Sequence, residues 1–201
     1  MTIAIWLTVV SICILGAMSP GPSLAVVLKQ TVIGGRKTGL VAAIAHGVGI
    51  GLYALACISG IAVMLIASPR LFTTLQWCGA AYLVWIGIKG LRSRTRLDAP
   101  PEYPSTTGNA ARDGFLVVFL NPKIAVFFIA FFSQIIGSET TWLEKLAYAA
   151  TAMFIDMAWY MIVAWSFSNP RWLARLQKHV VWLDRAFGVI LIALAVRLVA
   201  G

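Results

Sequence analysis

Two prolines interrupt an uncharged apolar segment in the stretch MSPGPSLAVVL, residues 18–28, and a third interrupts an apolar segment in LNPKIAVFF, residues 120–128. Proline lacks a backbone N–H and cannot continue a helix in the ordinary way. An unpaired backbone group in lipid costs several kcal/mol, so such interruptions persist only where protein or a water-filled cavity satisfies the freed groups. Two interruptions in matching places of two halves therefore predict a polar site inside a membrane.

The composition is that of a membrane protein. Of the 201 residues, 60% are hydrophobic and 11% are charged, and the mean hydropathy is +0.88, whereas a soluble domain carries roughly 25% charged residues. The net charge of +9 does not indicate nucleic-acid binding, because the basic residues lie between apolar runs, as topology signals do. Cys13, Cys57 and Cys78 stand alone, without a Cys-x-x-Cys pair. We therefore expect no metal and no cofactor.

Six segments have the character of membrane-spanning helices, which need about 20 apolar residues. They are Ile3–Leu28, Gly39–Ala67, Leu71–Ile88, Gly114–Gly137, Leu146–Asn169 and Ala186 to the C-terminus. The basic and aromatic stretch 172–182, just before the sixth segment, is interpreted as lying on the membrane surface. The predicted fold class is all-α, a polytopic membrane protein whose first and fourth helices are broken.

Charge placement and an internal repeat predict two inverted halves. With the N-terminus outside, twelve of the sixteen lysines and arginines fall in inner loops, so both termini are predicted to lie outside. Residues 22–28 match residues 122–128 at three of seven positions, at an offset of 100. The predicted division is 1–91 for the first three-helix repeat, 92–112 for a flexible cytoplasmic linker and 113–201 for the second repeat.

Each interruption is expected to restart a half-helix. Asn121 is a good N-cap and Pro122 fits the first helical position, and Pro20-Gly21-Pro22 after Ser19 has the same role in the first half. A helix start carries unpaired N–H groups and about half a positive charge, so two starts facing each other suit a carboxylate. The alternative is a pair of kinked helices that merely pack.

Three ionisable residues within the predicted spans are candidates for function, namely Lys123, Asp156 and His46. Lys123 either reaches the inner surface or pairs with a substrate carboxylate or backbone carbonyls. Asp156 is too short to reach the surface; alone it would take up a proton, which suits a proton-coupled carrier, or it would hold a substrate ammonium. Ion pairing with Lys123 or His46 is the structural alternative. His46 either relays protons or is a hydrogen-bonded contact between helices.

The predicted binding residues either lie at one of the two interruptions or belong to the three ionisable residues just described. They are Ser19, Pro20, Gly21, Pro22, Asn121, Pro122, Lys123 and Asp156, with Asp156 and His46 assigned to coupling. In the second span, Gly47 and Gly51 form a G-x-x-x-G motif that permits close helix contact, with the broken first helix as the expected neighbour. The motif permits a homodimer without requiring one.

Six spans in about 200 residues, with Ser19-Pro20-Gly21-Pro22 in the first and Asn121-Pro122-Lys123 in the fourth, resemble the lysine-exporter (LysE/RhtB) family of bacterial amino-acid exporters. The charged linker and Asp156 in the fifth span also look like that family. The resemblance covers essentially the whole chain. It implies efflux of amino acids or close derivatives across the inner membrane, driven by the ion gradient, and it places the two outer termini in the periplasm.

The function predicted from these features is that of a secondary transporter, not an enzyme, which exports a small amino acid by proton antiport. Its partners would be the amino acid, protons and the lipid bilayer, with no nucleic acid. The alternatives are a passive pore or accessory membrane subunit, and a membrane enzyme or thiol-redox carrier, which would need a reactive pair that the sequence does not show.

Overall fold

The computed structural model describes residues 3–92, 106–137 and 139–200. Within these ranges the chain forms seven α-helices and no β-strand. They are α1 (Ile3–Ala17), α2 (Pro22–Ala67), α3 (Pro69–Leu91), α4 (Thr107–Leu120), α5 (Pro122–Phe132), α6 (Trp142–Phe167) and α7 (Pro170–Ala200). The all-α class is thus confirmed for this part of the chain, while residues 93–105 of the predicted linker lie outside the described residues.

Three of the described helices are long and apolar enough to cross a membrane, namely Pro22–Met64 of α2, Arg70–Leu91 of α3 and Trp142–Phe167, which is α6. A fourth is added if α4 and α5, which are bent by 56° at their junction, count as one span. The arrangement of six spans stays a prediction.

The long helix α2 contains a sharp corner. Gly35 has a φ of 80°, a left-handed value that favours glycine, and it interrupts the helical backbone. The Thr38 hydroxyl donates to the carbonyl of Gln30 at 2.8 Å, whereas residues eight apart in a straight helix are separated by about 12 Å along the axis. The chain therefore turns back here, and α2 consists of α2a (residues 22–34) and α2b (residues 36–67).

Helices begin at both prolines that follow the interruptions, as expected from the sequence. α2 starts at Pro22 and α5 starts at Pro122, where the missing N–H of proline leaves no helical bond unmade. The two starts differ in their caps. The Asn121 side chain accepts from the Lys123 N–H at 3.1 Å, whereas Gly21 gives the start of α2 no side-chain cap.

Two helices begin earlier than the predicted membrane spans they contain. α4 begins at Thr107 because the Thr106 hydroxyl caps it by accepting from the Asn109 N–H at 3.2 Å, so residues 107–112 of the predicted linker are helical. α7 runs unbroken from Pro170 to Ala200, so no helix begins at Ala186. The reason is that neither proline nor glycine occurs from residue 171 to residue 187, and basic and aromatic residues do not by themselves end a helix.

The central contact joins α2b and α6, which run antiparallel. A Cβ added to Gly47 would lie 2.6 Å from Met157 Cβ, and one added to Gly51 would lie 3.0 Å from Met153 Cβ. The G-x-x-x-G motif therefore packs against α6, and not against the broken first helix as the sequence suggested. This close approach brings the buried faces of α2b and α6 together in the middle of the molecule.

α3 and α7 form a second close antiparallel pair. A Cβ added to Gly87 would lie 2.8 Å from the carbonyl oxygen of Gly188, and one added to Gly90 would lie 2.7 Å from that of Asp184. Outward-facing side chains are large and apolar, for example Leu120 and Leu143, each 77% exposed. Such surfaces suit lipid rather than water as the surrounding medium.

We expect Gly114→Ala to destabilise the protein. A Cβ at Gly114 would overlap the carbonyl group of Ala42, a backbone neighbour that cannot rotate away. Overpacking of this kind costs about 1–3 kcal/mol. Gly60→Ala is the matched control, because a Cβ at Gly60 meets nothing within 4 Å. The measurement is thermal unfolding of both variants in one detergent; equal midpoints for Gly114→Ala and Gly60→Ala would contradict the expectation.

Candidate functional site

A cavity of about 60 Å³ lies where the two helix interruptions meet. We call it the first cavity. A buried water needs about 10–15 Å³, so the first cavity has room for a few small polar atoms. Six of the predicted residues line it, namely Ser19, Gly21, His46, Asn121, Lys123 and Asp156. The remaining walls come from α1, α2a, α2b, α5, α6 and α7.

Two hydrogen bonds connect the interruptions directly. Lys123 Nζ donates to the carbonyl of Pro20 at 2.7 Å, and Asn121 Nδ2 donates to Ser23 Oγ at 3.3 Å. Lys123 Nζ also lies 4.2 Å from the centre of the Phe187 ring, a favourable position for a cation. Of the alternatives that the sequence left open for Lys123, the structure shows pairing with a backbone carbonyl.

A buried histidine–aspartate pair forms one wall of the first cavity. His46 Nδ1 and Asp156 Oδ2 lie 2.6 Å apart and share a hydrogen bond. His46 is 1% exposed and Asp156 is 7% exposed. The Tyr160 ring packs edge-on against His46, with 4.7 Å between ring centres. Asp156 is therefore not a lone carboxylate, and its partner is His46 rather than Lys123.

The second ring nitrogen of His46 has no protein partner. Nε2 is buried and makes no hydrogen bond within the described part of the chain. A buried polar atom without a partner costs about 1–3 kcal/mol, and native proteins retain few such atoms. Because His46 lines the first cavity, this nitrogen is a candidate for exchanging a proton there.

A larger cavity of about 250 Å³ lies next to the first one. We call it the second cavity. Its lining includes Pro20 and Pro22, together with two charged residues from α3 and α7, Lys89 and Asp184. Three residues line both cavities and separate them: Gly21, Lys123 and Phe187. Pro122, the remaining predicted site residue, lines neither cavity and is exposed.

Several wall residues were not predicted. Gly16 approaches the Phe127 ring so closely that an added Cβ would lie 2.8 Å from Phe127 Cζ, which brings α1 against α5. Gly16 lies four residues before Pro20 and was a usable signal, whereas Phe127 and Phe187 look like ordinary packing residues in the sequence. Cys13 also lines the first cavity, and all three cysteines are free. No group of three metal-ligating side chains occurs among the described residues.

The effects of removing His46 and Asp156 on the free energy of unfolding should not be additive. Removing both residues should destabilise the protein less than the sum of the two single substitutions. His46→Ala leaves the Asp156 carboxyl buried without its partner, and removing one member of a buried pair costs about 3–5 kcal/mol. We expect a coupling of about 1–3 kcal/mol in a double-mutant cycle with Asp156→Ala. The measurement is the free energy of unfolding in mixed micelles. Additive effects of the two substitutions would show that the contact is energetically unimportant.

The chain is similar to known membrane proteins over most of its length. The sequence profile of the family described as "LysE type translocator" matches residues 14–201. The threonine efflux protein of Escherichia coli (strain K12) is 24% identical over 200 residues, 97% of each chain. The leucine efflux protein of Klebsiella pneumoniae is 28% identical over 185 residues, 89% of this chain and 87% of the relative. An uncharacterized membrane protein of Vibrio cholerae is 29% identical over 158 residues, 78% of this chain and 77% of the relative.

No solved structure matches the chain significantly. The profile match nevertheless extends over both interruptions, all of the predicted site residues and every residue that lines the two cavities except Cys13. It confirms the resemblance drawn from the two proline motifs, and it assigns the chain to the transporters rather than to the enzymes. This chain is a multi-pass membrane protein and belongs to the LysE type translocator family.

Proposed function

We propose that the chain is a secondary transporter that exports a small amino acid or a close derivative across the bacterial inner membrane, by proton antiport. The observation that carries the proposal is the first cavity, where a helix start, a lysine ammonium and a buried histidine–aspartate pair come together. The printed names of two relatives, threonine efflux protein and leucine efflux protein, support this substrate class.

The substrate carboxylate would bind at the first interruption. The start of α2 has no side-chain cap, so the N–H groups of Ser23 and Leu24 are available along with the positive end of the helix dipole. At the second interruption, by contrast, Asn121 already accepts from the Lys123 N–H. The Lys123 ammonium adds a charged donor beside the uncapped start, and the two together suit an anion.

The substrate ammonium and the coupling proton would compete for Asp156. A carboxylate that has taken up a proton no longer attracts an ammonium ion, so the two occupants exclude each other. Mutually exclusive binding at one site is what exchange of substrate for proton requires. His46, bonded to Asp156 through Nδ1 and unpartnered at Nε2, would pass the proton between the carboxyl and the cavity.

The proposal includes six membrane spans in two inverted halves, 1–91 and 113–201, joined by a cytoplasmic linker at 92–112, with both termini in the periplasm. The order of helices supports it. α1, α2a, α2b and α3 are followed by α4, α5, α6 and α7, and in each half a short helix precedes a break and a half-helix that starts with proline. The antiparallel contact between α2b and α6 relates equivalent helices of the two halves.

Counterflow in proteoliposomes tests the substrate class. Purified protein is reconstituted with a panel of labelled amino acids that includes threonine and leucine, and we expect saturable exchange of at least one of them. Lys123→Gln should raise the half-saturation concentration roughly 10–100-fold, because a charge-assisted hydrogen bond contributes about 1.5–3 kcal/mol. Lys29→Gln is the control, since Lys29 lines neither cavity. Flux that rises linearly without saturation would indicate a pore instead.

Proton coupling is tested with Asp156→Asn. We expect this variant to insert in the membrane and to lose efflux driven by an imposed pH gradient, because an amide does not take up the proton. Asp113→Asn is the control, since Asp113 accepts a hydrogen bond from Gln30 at 3.0 Å and lines neither cavity. Efflux from Asp156→Asn that still follows the pH gradient would remove Asp156 from the coupling. If efflux by the wild type followed only a sodium gradient, the coupling ion would be sodium and not the proton.

A further inference from the structure

The first cavity has a polar part and an apolar part. The polar part holds the groups that the proposed function gives to the substrate backbone, namely the start of α2, Lys123 and Asp156. A second set of lining residues carries no charge. We call the part of the first cavity that they line the side-chain pocket, and they are Cys13, Ile50, Phe127, Phe128 and Ala152.

Helical spacing places the side-chain pocket one turn away from the histidine–aspartate pair. Ile50 follows His46 by four residues on α2b. Ala152 precedes Asp156 by four residues on α6. Because α2b and α6 run antiparallel, both displacements point in the same direction, by about one helical pitch of 5.4 Å. An amino acid whose backbone is bound in the polar part can therefore extend its side chain between Ile50 and Ala152.

The aromatic residues of α5 close the side-chain pocket. The Phe128 ring packs against the Tyr53 ring of α2b, with 6.2 Å between ring centres. Phe127 follows Lys123 by four residues, and a Cβ added to Gly16 would lie 2.8 Å from Phe127 Cζ. The Phe127 ring thus lies between α1 and the pocket, and a side chain at position 16 would press the ring away from α1.

The side-chain pocket offers almost no partner to a hydroxyl group. Of its five residues only Cys13 has a polar atom in its side chain, and a thiol is a weak donor and a weak acceptor. The hydroxyl groups that line the first cavity lie in its polar part. Ser23 Oγ accepts from Asn121 at 3.3 Å and also bonds to Tyr160, and the Ser19 hydroxyl donates to a backbone carbonyl at 3.4 Å.

We propose that the side-chain pocket selects amino acids with a short aliphatic side chain, such as alanine and valine, over those with hydroxyl-bearing, charged or aromatic side chains, and that Phe127 sets the size limit. The inference rests on the proposed function and adds to it the class of side chain that the transporter accepts.

The size and the chemistry of the pocket support this class. The whole first cavity has a volume of about 60 Å³, only a few times the roughly 10–15 Å³ that one buried water needs, so an amino-acid backbone leaves room for few further carbon atoms. A charged side chain would lie among apolar groups without a counter-ion. A hydroxyl group would lose its water and gain no strong partner.

The first experiment compares valine with threonine, which have the same shape and differ in one methyl and one hydroxyl group. Counterflow by the wild type is measured with both, and with alanine, leucine, phenylalanine and lysine. We expect a half-saturation concentration for valine that is roughly 10–100-fold lower than that for threonine. Similar values for the two, or a lowest value for threonine, phenylalanine or lysine, would overturn the proposal.

The second experiment tests the size limit with Phe127→Ala. Removal of the ring should lower the half-saturation concentration for leucine, relative to that for valine, roughly 10-fold. Phe132→Ala is the matched control, because Phe132 is a buried phenylalanine of the same helix that lines neither cavity. It should leave the leucine-to-valine ratio unchanged. A Phe127→Ala variant that weakens all substrates by one common factor would show a structural role only.

Gly16→Ala tests the size limit in the opposite direction and does not depend on the folding of Phe127→Ala. The added methyl group should press the Phe127 ring toward the pocket, and so raise the half-saturation concentration for valine severalfold more than that for glycine. Combining it with Phe127→Leu should restore the wild-type ratio of valine to glycine. An equal effect of Gly16→Ala on both substrates would remove Phe127 as the residue that sets the limit.

The outcomes distinguish the two proposals. A wild type that carries no amino acid contradicts the proposed function and, with it, the side-chain pocket. A wild type that carries amino acids but does not prefer valine to threonine overturns the side-chain pocket alone.

Discussion

The hydrogen bond from the Lys123 ammonium to the Pro20 carbonyl joins the two broken regions of the chain. The Pro20 carbonyl precedes the first backbone bond of α2, which runs from the Ala25 N–H to the Gly21 carbonyl at 3.0 Å. In lipid, a carbonyl left outside a helix must find another donor. The shorter of its two hydrogen bonds comes from Lys123 in the other half of the chain, and the Ser19 hydroxyl also donates to it at 3.4 Å. The interruption at Pro20 is therefore stabilised when the interruption at Pro122 lies beside it.

The first interruption in turn stabilises the polar residues at the second interruption. A lysine within an apolar span costs about 3 kcal/mol on insertion scales, and Lys123 offsets part of that cost through the Pro20 carbonyl and the Phe187 ring. Asn121 caps the start of α5 with its oxygen and donates to Ser23 with its nitrogen. Polar groups that would be unfavourable if buried singly are thus hydrogen-bonded to one another across the two interruptions. Lys123, Asn121 and Ser23 also line the first cavity.

The positions of the two helix starts could be predicted because proline acts locally. Pro22 and Pro122 fix φ and lack an N–H wherever they occur, so their effect does not depend on the rest of the fold. The contact between His46 and Asp156 could be stated only as one of several alternatives, since it depends on the register of α2b against α6. That register is set by how closely Gly47 and Gly51 approach Met157 and Met153, which requires knowledge of both helices together.

Other features were not predicted, for physical reasons that differ. The corner at Gly35 had a signal in the adjacent pair Gly34-Gly35, but the residues between the first two spans were interpreted as a loop instead of two helical segments meeting at one residue. The continuity of α7 was hidden because its basic residues suggested a membrane surface. No feature of the sequence indicated the second cavity, because Lys89 and Asp184 are nearly one hundred positions apart. The two residues line one cavity only when α3 packs against α7.

The bond between Lys123 and Pro20 also bears on which molecules can pass between the two cavities, because Lys123 lies between them. Breaking it leaves an ammonium and a carbonyl in an apolar setting, and each group then needs a new partner. A carboxylate alone satisfies the ammonium and leaves the Pro20 carbonyl with only the 3.4 Å bond from the Ser19 hydroxyl, while an amine alone leaves the ammonium without a partner. An α-amino acid carries an acceptor for Lys123 and a donor for Pro20 on two groups attached to the same carbon atom, so it can replace the bond at both ends at once. In the proposed transport cycle, a zwitterion would therefore displace the Lys123 side chain at the lowest cost, and selectivity for amino acids would follow from the same contact that holds the two halves together.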